Sequence, residues 1–339
     1  MIPVAVDAMG GDHAPGAVVA GAVRAAGEFG IAVALVGDEQ VLRAHVDEQA
    51  AQYDAARIKD LVSIVHTSEW IAMDEPPAQA LQRKRNASVL LAARMVAERK
   101  ASGFVSAGNS GAAVGAALLS LGRLPGVERA PIATIIPLHS GRAVLLDAGA
   151  NVDCKPAHLL QFAVMGSVYA RRVLGVDSPR VALLSIGEEP GKGDSRTKSA
   201  HALLRESGLN FVGNLDGKDV FRGAADVVVC DGFVGNVVIK VGEGVVDLIA
   251  ALLANTKGPQ AASVLSSLAD RVHWAEYGGA PLLGVDGVCV IAHGRSDARA
   301  VAHAVRVASQ AAESGVVEGM RQELPRLSNI RNNSQGSRG

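Results

Sequence analysis

The chain has few cysteines and almost no net charge, and both shortages exclude classes of protein. Among its 339 residues only Cys154, Cys230 and Cys289 are cysteines, and they form no CxxC pair. Neither a structural zinc site nor a disulfide framework is therefore predicted, and a reducing compartment fits. The formal net charge is -1, whereas a protein whose main partner is nucleic acid normally carries a strongly basic surface. We therefore predict no nucleic-acid partner.

Long apolar segments are also missing. No basic region followed by an apolar stretch opens the sequence, so we expect no secretory leader. Residues 101–122 lack charges, but they include Asn109, Ser110 and five glycines. Because a membrane-spanning helix needs about 20 predominantly apolar residues, we predict no span here.

Three familiar catalytic and nucleotide-binding motifs are absent as well. No GxGxxG opens the first βα unit and no GxxxxGK[ST] is present, which disfavours a classical dinucleotide or nucleoside triphosphate site. There is no GxSxG turn, and no cysteine has an activating base close to it in the sequence. The sequence therefore reveals no covalent nucleophile.

Short apolar runs alternate with segments of helical periodicity along most of the chain. Nearly continuous apolar runs are typical of strands covered on both faces. The runs are Val4–Ala8, Ile31–Val36, Leu61–Val65, Phe104–Ala107, Ile132–Ile136, Ala143–Leu146, Val181–Ile186, Val227–Cys230 and Val288–Ala292. The helical segments include Pro15–Glu28, Ser88–Lys100, Pro156–Val173 and Ser296–Glu313. This alternation predicts an α/β fold with a doubly wound, mostly parallel sheet, as one domain over residues 1–320.

The C-terminal third departs from this alternation. A long helix is predicted over Asn236–Asn255, with a break at residues 257–259 and a second helix over Gln260–Val272. Apolar residues recur at helical spacing on both, at Val245, Ile249, Leu252, Leu253, Val264, Leu265 and Leu268. We interpret residues 245–275 as a helical protrusion whose apolar stripe forms core or a dimer interface, with contact to a membrane surface as the alternative. Residues 325–339 are predicted to be a disordered tail.

Five predicted strands end in loops of similar composition. The loops read DAMGGDHAP from Asp7, SAGNSGA from Ser106, DAGANVDCKP from Asp147, SIGEEPGKGDSRTK from Ser185 and DGFVGN from Asp231. Glycines let backbone N–H groups approach a ligand, and a helix N-terminus attracts negative charge. Because the carboxyl ends of parallel strands share one edge of a sheet, we predict that the loops form one anion-binding crevice, with phosphate as the natural ligand.

Individual loop residues leave alternatives open. Lys192 either meets a phosphate or is a solvated loop lysine. Asn236 either caps a helix or polarises a substrate carbonyl. His13 is an acid, a base or a hydrogen-bond donor, or it makes a structural hydrogen bond. The spacing of Asp7, Asp12 and His13 matches no established ligand pattern, so no metal site is predicted.

Several long motifs resemble one family. In chain order they are VDAMGGDHAP, QRKRNAS, SAGNSGA, LDAGANVDCKPAHLLQFAVMGSVYA, DGFVGN, EYGGAPLLG and AHGRSDA. Together, from about Val4 to Glu313, they resemble the bacterial phosphate acyltransferases of phospholipid synthesis. The resemblance implies the reaction of acyl-acyl carrier protein with inorganic phosphate to give acyl phosphate and free carrier protein. It implies a fold similar to isocitrate and isopropylmalate dehydrogenases and to phosphate acetyltransferase. It also implies a cytoplasmic homodimer associated peripherally with the inner face of the membrane.

The resemblance also implies site residues. Lys192 and Asn236 match lysine and asparagine positions expected at the active site, whereas Asp194-Ser195 replaces the Asn-Glu that we expect there. Lys192 would position phosphate, and Asn236 or His13 would donate to the thioester carbonyl, in direct transfer without an acyl-enzyme, a metal or a nucleotide. The residues expected to line the substrate site are Gly10, Gly11, Asp12, Asn109, Ser110, Asn151, Lys198 and Asp231.

Two surfaces are expected to meet partners. Arg83, Lys84 and Arg85 form a basic cluster suited to docking the acidic carrier protein. The apolar residues Leu252, Leu253 and Leu265 are expected to contact the membrane. Two other functions stay open, an NAD-dependent dehydrogenase of the isopropylmalate type and a non-catalytic, membrane-peripheral scaffold that binds carrier protein.

Overall fold

The computed structural model describes residues 1–254 and 278–326. Its strands are β1 Val4–Asp7, β2 Val33–Gly37, β3 Val62–His66, β4 Gly103–Ser106, β5 Ala133–Pro137, β6 Arg142–Leu146, β7 Val181–Ser185, β8 Phe211–Asp216, β9 Val227–Val229, β10 Ala280–Pro281 and β11 Cys289–Ile291. Its helices are α1 Gly16–Phe29, α2 Glu39–Ala50, α3 Ala55–Leu61, α4 Pro77–Arg83, α5 Ser88–Ala97, α6 Ser110–Ser120, α7 Pro156–Arg172, α8 Ser195–Arg205, α9 Gly232–Ala254, α10 Ala298–Glu313 and α11 Val316–Glu323.

The chain divides into two compact units, each with its own sheet. Unit 1 comprises Met1–Ala130 and Ala275–Arg321, and unit 2 comprises Pro131–Trp274 and Gln322–Gly339. The prediction of a mostly parallel α/β fold is confirmed, but the structure has two sheets where one was expected, and two units where one domain was expected. Alternation of strand and helix predicts βαβ units, whereas it carries no information about which strands pair.

Unit 1 is built on a six-stranded sheet in the order β10-β11-β4-β1-β2-β3. All neighbours are parallel except β10, which is antiparallel to β11. The register aligns Asp7 with Ser106, so the loops that follow β1 and β4 begin side by side. Helices α1 and α10 pack closely because Gly21 has no side chain, and a Cβ there would lie 2.5 Å from the Val301 Cβ.

Unit 2 is built on a five-stranded sheet in the order β5-β6-β9-β7-β8, in which only β5 is antiparallel to its neighbour. Residues 158–170 of α7 are buried without interruption. Gly166 lets this helix approach β6, because a Cβ there would overlap the Leu146 side chain. Residues Ala143–Leu146 of β6 and Val227–Val229 of β9 are all buried and apolar, as expected of strands covered on both faces.

All nine predicted strands overlap an observed strand, whereas β8 and β10 were missed. Strand β8 interrupts its apolar residues with Gly213 and Asn214, and β10 has two residues. The predicted helix Gln260–Val272, Leu265 and most of the predicted tail lie outside the described residues. In the part of the chain that is described, no helix is long and apolar enough to cross a membrane.

Candidate active site

Three of the five glycine-containing loops meet in unit 2. They follow β6, β9 and β7, which are adjacent parallel strands whose ends are aligned through Leu146, Val229 and Leu183. The other two loops follow β1 and β4 in unit 1. The five loops therefore form two groups, one at the edge of each sheet, because the strands belong to two sheets. That all five line one anion-binding crevice stays a prediction.

Asp147 holds the loop after β6 in place. It is fully buried. Its Oδ1 accepts hydrogen bonds from the backbone N–H groups of Ile132 at 2.9 Å, Gly149 at 3.2 Å and Ala150 at 3.1 Å. Its Oδ2 accepts from the Asn151 backbone at 2.7 Å and from Asn151 Nδ2 at 2.8 Å. Burial raises the Asp147 pKa, while these hydrogen bonds act to lower it. The Asn151 side chain therefore braces the loop.

Helix α9 begins directly on this loop. The Gly232 N–H donates to the Asn151 carbonyl at 2.8 Å, and a Cβ at Gly235 would overlap the Asp147 carbonyl oxygen. Gly149 has a φ of 131°, in the region that favours glycine, and a Cβ there would lie 3.9 Å from Asn236 Oδ1. The Asn236 amide therefore lies over the loop that Asp147 orders.

Asp231, and not Asn236, caps α9. The Asp231 Oδ1 accepts the Val234 N–H at 2.8 Å, and its Oδ2 forms an ion pair with Arg196 Nη2 at 2.5 Å. Asn236 lies in the second turn of the helix and is exposed. Within residues 1–254 and 278–326 its side chain makes no hydrogen bond. Helix capping, one of the two roles considered for Asn236, is thus performed by Asp231.

The loop after β7 carries Lys192 to the same edge. The Lys192 N–H donates to the Glu189 carbonyl at 3.0 Å, and the side chains of Lys192 and Lys198 are exposed. Neither ammonium group has a hydrogen bond or ion pair in the described part of the chain. The ammonium groups of Lys192 and Lys198 and the Asn236 amide are thus exposed near the three loops of unit 2, without a partner among the described residues.

Asp194, the first residue of the Asp-Ser pair, has a structural role at the start of α8. Its carboxylate accepts the Thr197 N–H at 2.7 Å, which caps α8, and it pairs with Arg196 Nη2 at 3.2 Å. The bond from the Thr197 backbone is the largest of the causes that hold the Asp194 pKa below its usual value. Arg196 thereby links the caps of α8 and α9. The sequence gives no sign of this role, because nothing in the spacing of Arg196 distinguishes it from a solvated arginine.

Asp7 orders the loops of unit 1. It is buried and accepts hydrogen bonds from Ser88 Oγ at 2.5 Å and Ser106 Oγ at 2.7 Å. A Cβ at Gly10 would lie 2.5 Å from Asp7 Oδ2 and 2.9 Å from the Gly108 Cα. Burial raises the pKa of Asp7, and the two serine hydroxyls oppose that rise. Asp7 and Gly10 therefore join the loops after β1 and β4.

Asp12 and His13 are exposed on this group of loops. Gly11, with a φ of 125°, turns the backbone, and the Asp12 N–H donates to the Gly294 carbonyl at 2.9 Å, which brings in the loop after β11. No hydrogen bond or ion pair of the His13 side chain is found among the described residues. His13 is thus placed on a ligand-accessible loop, and its role stays a prediction.

Asn109 is a structural residue of the same group. Its Oδ1 accepts the Ala112 N–H at 3.1 Å, which caps α6, and its Nδ2 donates to the carbonyls of Met73 and Glu75, both at 3.1 Å. The amide has no donor left for a substrate. Ser110, the first residue of α6, is exposed.

The three residues of the basic cluster differ from one another. Lys84 Nζ donates to the Trp70 carbonyl at 2.8 Å and forms an ion pair with Glu75 at 2.5 Å. Arg83 and Arg85 are exposed. A docking surface would therefore depend on the two arginines, while Lys84 fastens the segment before α4.

Apolar residues line the exposed face of α9. They are Phe233, Val237, Val241, Val245, Leu248, Ile249 and Leu252. The predicted membrane residue Leu252 is 61% exposed, and Leu253 is half-buried. Val245, Ile249 and Leu252 on this face belong to the predicted apolar stripe, and Phe233, Val237 and Val241 extend it toward the start of α9.

The cysteines are poor nucleophiles. Cys154, Cys230 and Cys289 are all buried. Burial, followed by the nearby Asp147 and Asp231 carboxylates, raises the pKa of Cys154 to about 12. Burial likewise raises the pKa of the other two thiols. A thiolate is the reactive form, so none of the three is activated. Among the described residues, no group of three or more His, Cys, Asp or Glu could hold a metal ion.

Comparison with known proteins extends over nearly the whole chain. Residues 2–319 match the family described as "Fatty acid synthesis protein". A phosphate acyltransferase of Pelotomaculum thermopropionicum is 48% identical over 330 residues, which are 95% of this chain and 94% of that protein. A phosphate acyltransferase of Heliobacterium modesticaldum is 48% identical over 331 residues, which are 95% of this chain and 97% of that protein.

Solved structures share the fold at low sequence identity. A phosphotransacetylase from Staphylococcus aureus matches with a TM-score of 0.61 at 16% identity, covering 92% of this chain and 94% of its own. A branched-chain phosphotransacylase from Enterococcus faecalis V583 matches with a TM-score of 0.58 at 18% identity, covering 92% and 99%. The expected likeness in fold to phosphate acetyltransferase is thus confirmed.

Proposed function

The chain belongs to the fatty acid synthesis protein family, its relatives at 48% identity are named phosphate acyltransferase, and we propose that it transfers a fatty acyl group from acyl-acyl carrier protein to inorganic phosphate. The products are acyl phosphate and free carrier protein. At the site, one observation carries the proposal. Lys192, Lys198 and Asn236 are exposed where three loops of unit 2 meet, and within the described residues none has a side-chain partner. The family match favours this reaction over the dehydrogenase and the scaffold.

Phosphate needs positioning more than activation. It is already an oxyanion at neutral pH, so the enzyme must hold it against the thioester carbonyl carbon. The two ammonium groups of Lys192 and Lys198 supply charge for this purpose, and Lys192 stands between two glycines, whose lack of side chains lets an anion approach the backbone. A phosphate oxygen then attacks the carbonyl carbon.

Asn236 is suited to the second task, which is stabilisation of the developing oxyanion. Its amide has two N–H donors, neither of them used within the described residues, and it lies over the Gly149 loop. Donation to the thioester oxygen stabilises the tetrahedral intermediate. When the C–S bond breaks, the carrier thiolate leaves and takes a proton from solvent. The unactivated cysteines favour this direct route over an acyl-enzyme.

Two exposed surfaces, one basic and one apolar, are the proposed contact sites for partners. The acidic carrier protein docks on Arg83 and Arg85 in this proposal, without Lys84. The exposed apolar face of α9 takes part in a homodimer interface or in peripheral contact with the membrane at Leu252 and Leu253. Localisation is cytoplasmic, at the inner membrane face. No metal or nucleotide enters the scheme.

The test is phosphate-dependent turnover of palmitoyl-acyl carrier protein. Free carrier thiol and hydroxylamine-trappable acyl phosphate are expected to appear in equal amounts, and only with phosphate. Lys192→Ala is expected to raise the KM for phosphate about tenfold or more, as loss of a charged hydrogen bond does. Lys59→Ala, at an exposed lysine of α3, is the matched control. Carrier binding without turnover at any chain length would favour the scaffold instead.

A further inference from the structure

A buried amide from a neighbouring strand holds the Lys192 loop. Asn214 lies on β8 and is 8% exposed. Its Nδ2 donates to the Glu189 carbonyl at 2.8 Å. The same carbonyl oxygen accepts the Lys192 N–H at 3.0 Å. The turn that presents Lys192 therefore closes on an oxygen whose position Asn214 fixes.

His201 in turn fixes the Asn214 amide. Asn214 Oδ1 lies 2.9 Å from His201 Nδ1 on α8. Because Asn214 Nδ2 faces the Glu189 carbonyl, Oδ1 faces the imidazole, and Nδ1 carries the hydrogen that Oδ1 accepts. The imidazole ring packs edge-on against Phe211, with centroids 5.1 Å apart. A continuous series of contacts thus runs from Phe211 through His201 and Asn214 to the Lys192 turn.

The loop needs such an anchor. Gly191 and Gly193 flank Lys192, and Gly193 has a φ of 101°. A Cβ at Gly191 would meet no atom of the described residues within 4 Å, so space around this position is open on that side. Glycine loses more conformational freedom on ordering than other residues do. The lysine ammonium group is a point charge at the end of a flexible side chain, so the position of the Lys192 backbone decides whether it can bind a small anion.

We propose that Asn214 and His201 are positioning residues for phosphate binding, acting through the backbone turn that carries Lys192. This inference rests on the proposed function, in which Lys192 binds phosphate. Neither side chain contacts substrate in this scheme. Their effect is expected on the KM for phosphate and not on the KM for acyl-acyl carrier protein.

Asn214→Asp is the sharpest test. The carboxylate still accepts from His201 Nδ1 but has no hydrogen to donate to the Glu189 carbonyl. We expect the KM for phosphate to rise about tenfold, the cost typical of a buried group left without its partner. The KM for acyl-acyl carrier protein is expected to stay within about twofold. Asn210→Asp is the matched control, since Asn210 is an exposed asparagine next to β8 that donates to the Ser178 carbonyl at 3.2 Å.

Two variants of His201 give an independent reading if Asn214→Asp folds poorly. His201→Phe keeps a ring against Phe211 and removes the donor, whereas His201→Asn keeps an N–H near the Nδ1 position. Loss of phosphate affinity in the phenylalanine variant, with partial rescue in the asparagine variant, supports positioning. Equal falls in Tm and equal changes in both KM values for the two variants would mean a structural role only and would overturn the inference.

The double variant Lys192→Ala/Asn214→Asp separates this inference from the proposed function. If Asn214 acts through Lys192, the double variant has the phosphate KM of Lys192→Ala alone. Additive effects would overturn the positioning role. An unchanged phosphate KM in Lys192→Ala would instead contradict the proposed role of Lys192. A raised KM in Lys192→Ala with none in Asn214→Asp would contradict only the inference made here.

Discussion

Removal of the Arg196 guanidinium should destabilise the start of α9. Arg196 Nη2 lies 2.5 Å from Asp231 Oδ2, with the side chains 27% and 5% exposed. Arg196→Gln leaves the Asp231 carboxylate buried, with the Val234 N–H still bound to its Oδ1. Breaking a buried ion pair from one side costs roughly 3–5 kcal/mol. Because Arg196 is partly exposed, water can reach the site of the lost group, and we expect about 2–3 kcal/mol.

Urea unfolding followed by circular dichroism measures the loss, and hydrogen exchange locates it at α8 and at the first turns of α9. The matched control is Arg180→Gln. Arg180 pairs with Asp226 at 2.9 Å, but the side chains are 43% and 19% exposed, and Asp226 keeps the Arg180 backbone N–H. We expect at most about 1 kcal/mol there. Equal losses in the two variants, or a loss below about 0.5 kcal/mol in Arg196→Gln, would refute the reasoning.

Three further predictions follow from particular contacts. Burial raises the folded-state pKa of Asp7, so its contribution to the free energy of unfolding is full below the unfolded pKa of about 3.9 and is lost as pH rises through the folded pKa. Urea titrations from acid to neutral pH should show a smaller fall in the free energy of unfolding for Asp7→Asn than for the parent protein, and equal falls would contradict this. Gly235→Ala, whose new Cβ overlaps the Asp147 carbonyl, should cost about 3 kcal/mol or more. Gly244→Ala, whose Cβ meets no described atom within 4 Å, should be neutral or stabilising by up to about 1 kcal/mol, and similar urea midpoints for the two variants would be the contrary result. Arg83→Glu with Arg85→Glu should raise the KM for acyl-acyl carrier protein and leave the KM for phosphate unchanged, and an unaltered carrier KM would remove the docking surface.

Much of the site was visible in the sequence as loop composition. A strand ending at a small or acidic residue, followed by glycines and a helix, predicted that Lys192 and Asn236 are accessible to a ligand. Both are exposed, Lys192 on the loop after β7 and Asn236 in the second turn of α9. The same pattern also selected Asn109, Asn151 and Asp231, whose side chains cap helices or brace loops. Composition cannot separate these cases, because an amide that caps a helix and one that binds a substrate are the same group.

The sequence alone determined the α/β class, most of the strands and the family, since periodicity and long motifs are local properties of the chain. Only the tertiary structure decided that the strands form two sheets and that the five loops fall into two groups. It also revealed Arg196, His201 and Asn214 as residues that hold the loops of unit 2. Their roles depend on contacts between segments distant along the chain, and a pairing of that kind leaves no periodic or compositional signal in a single sequence.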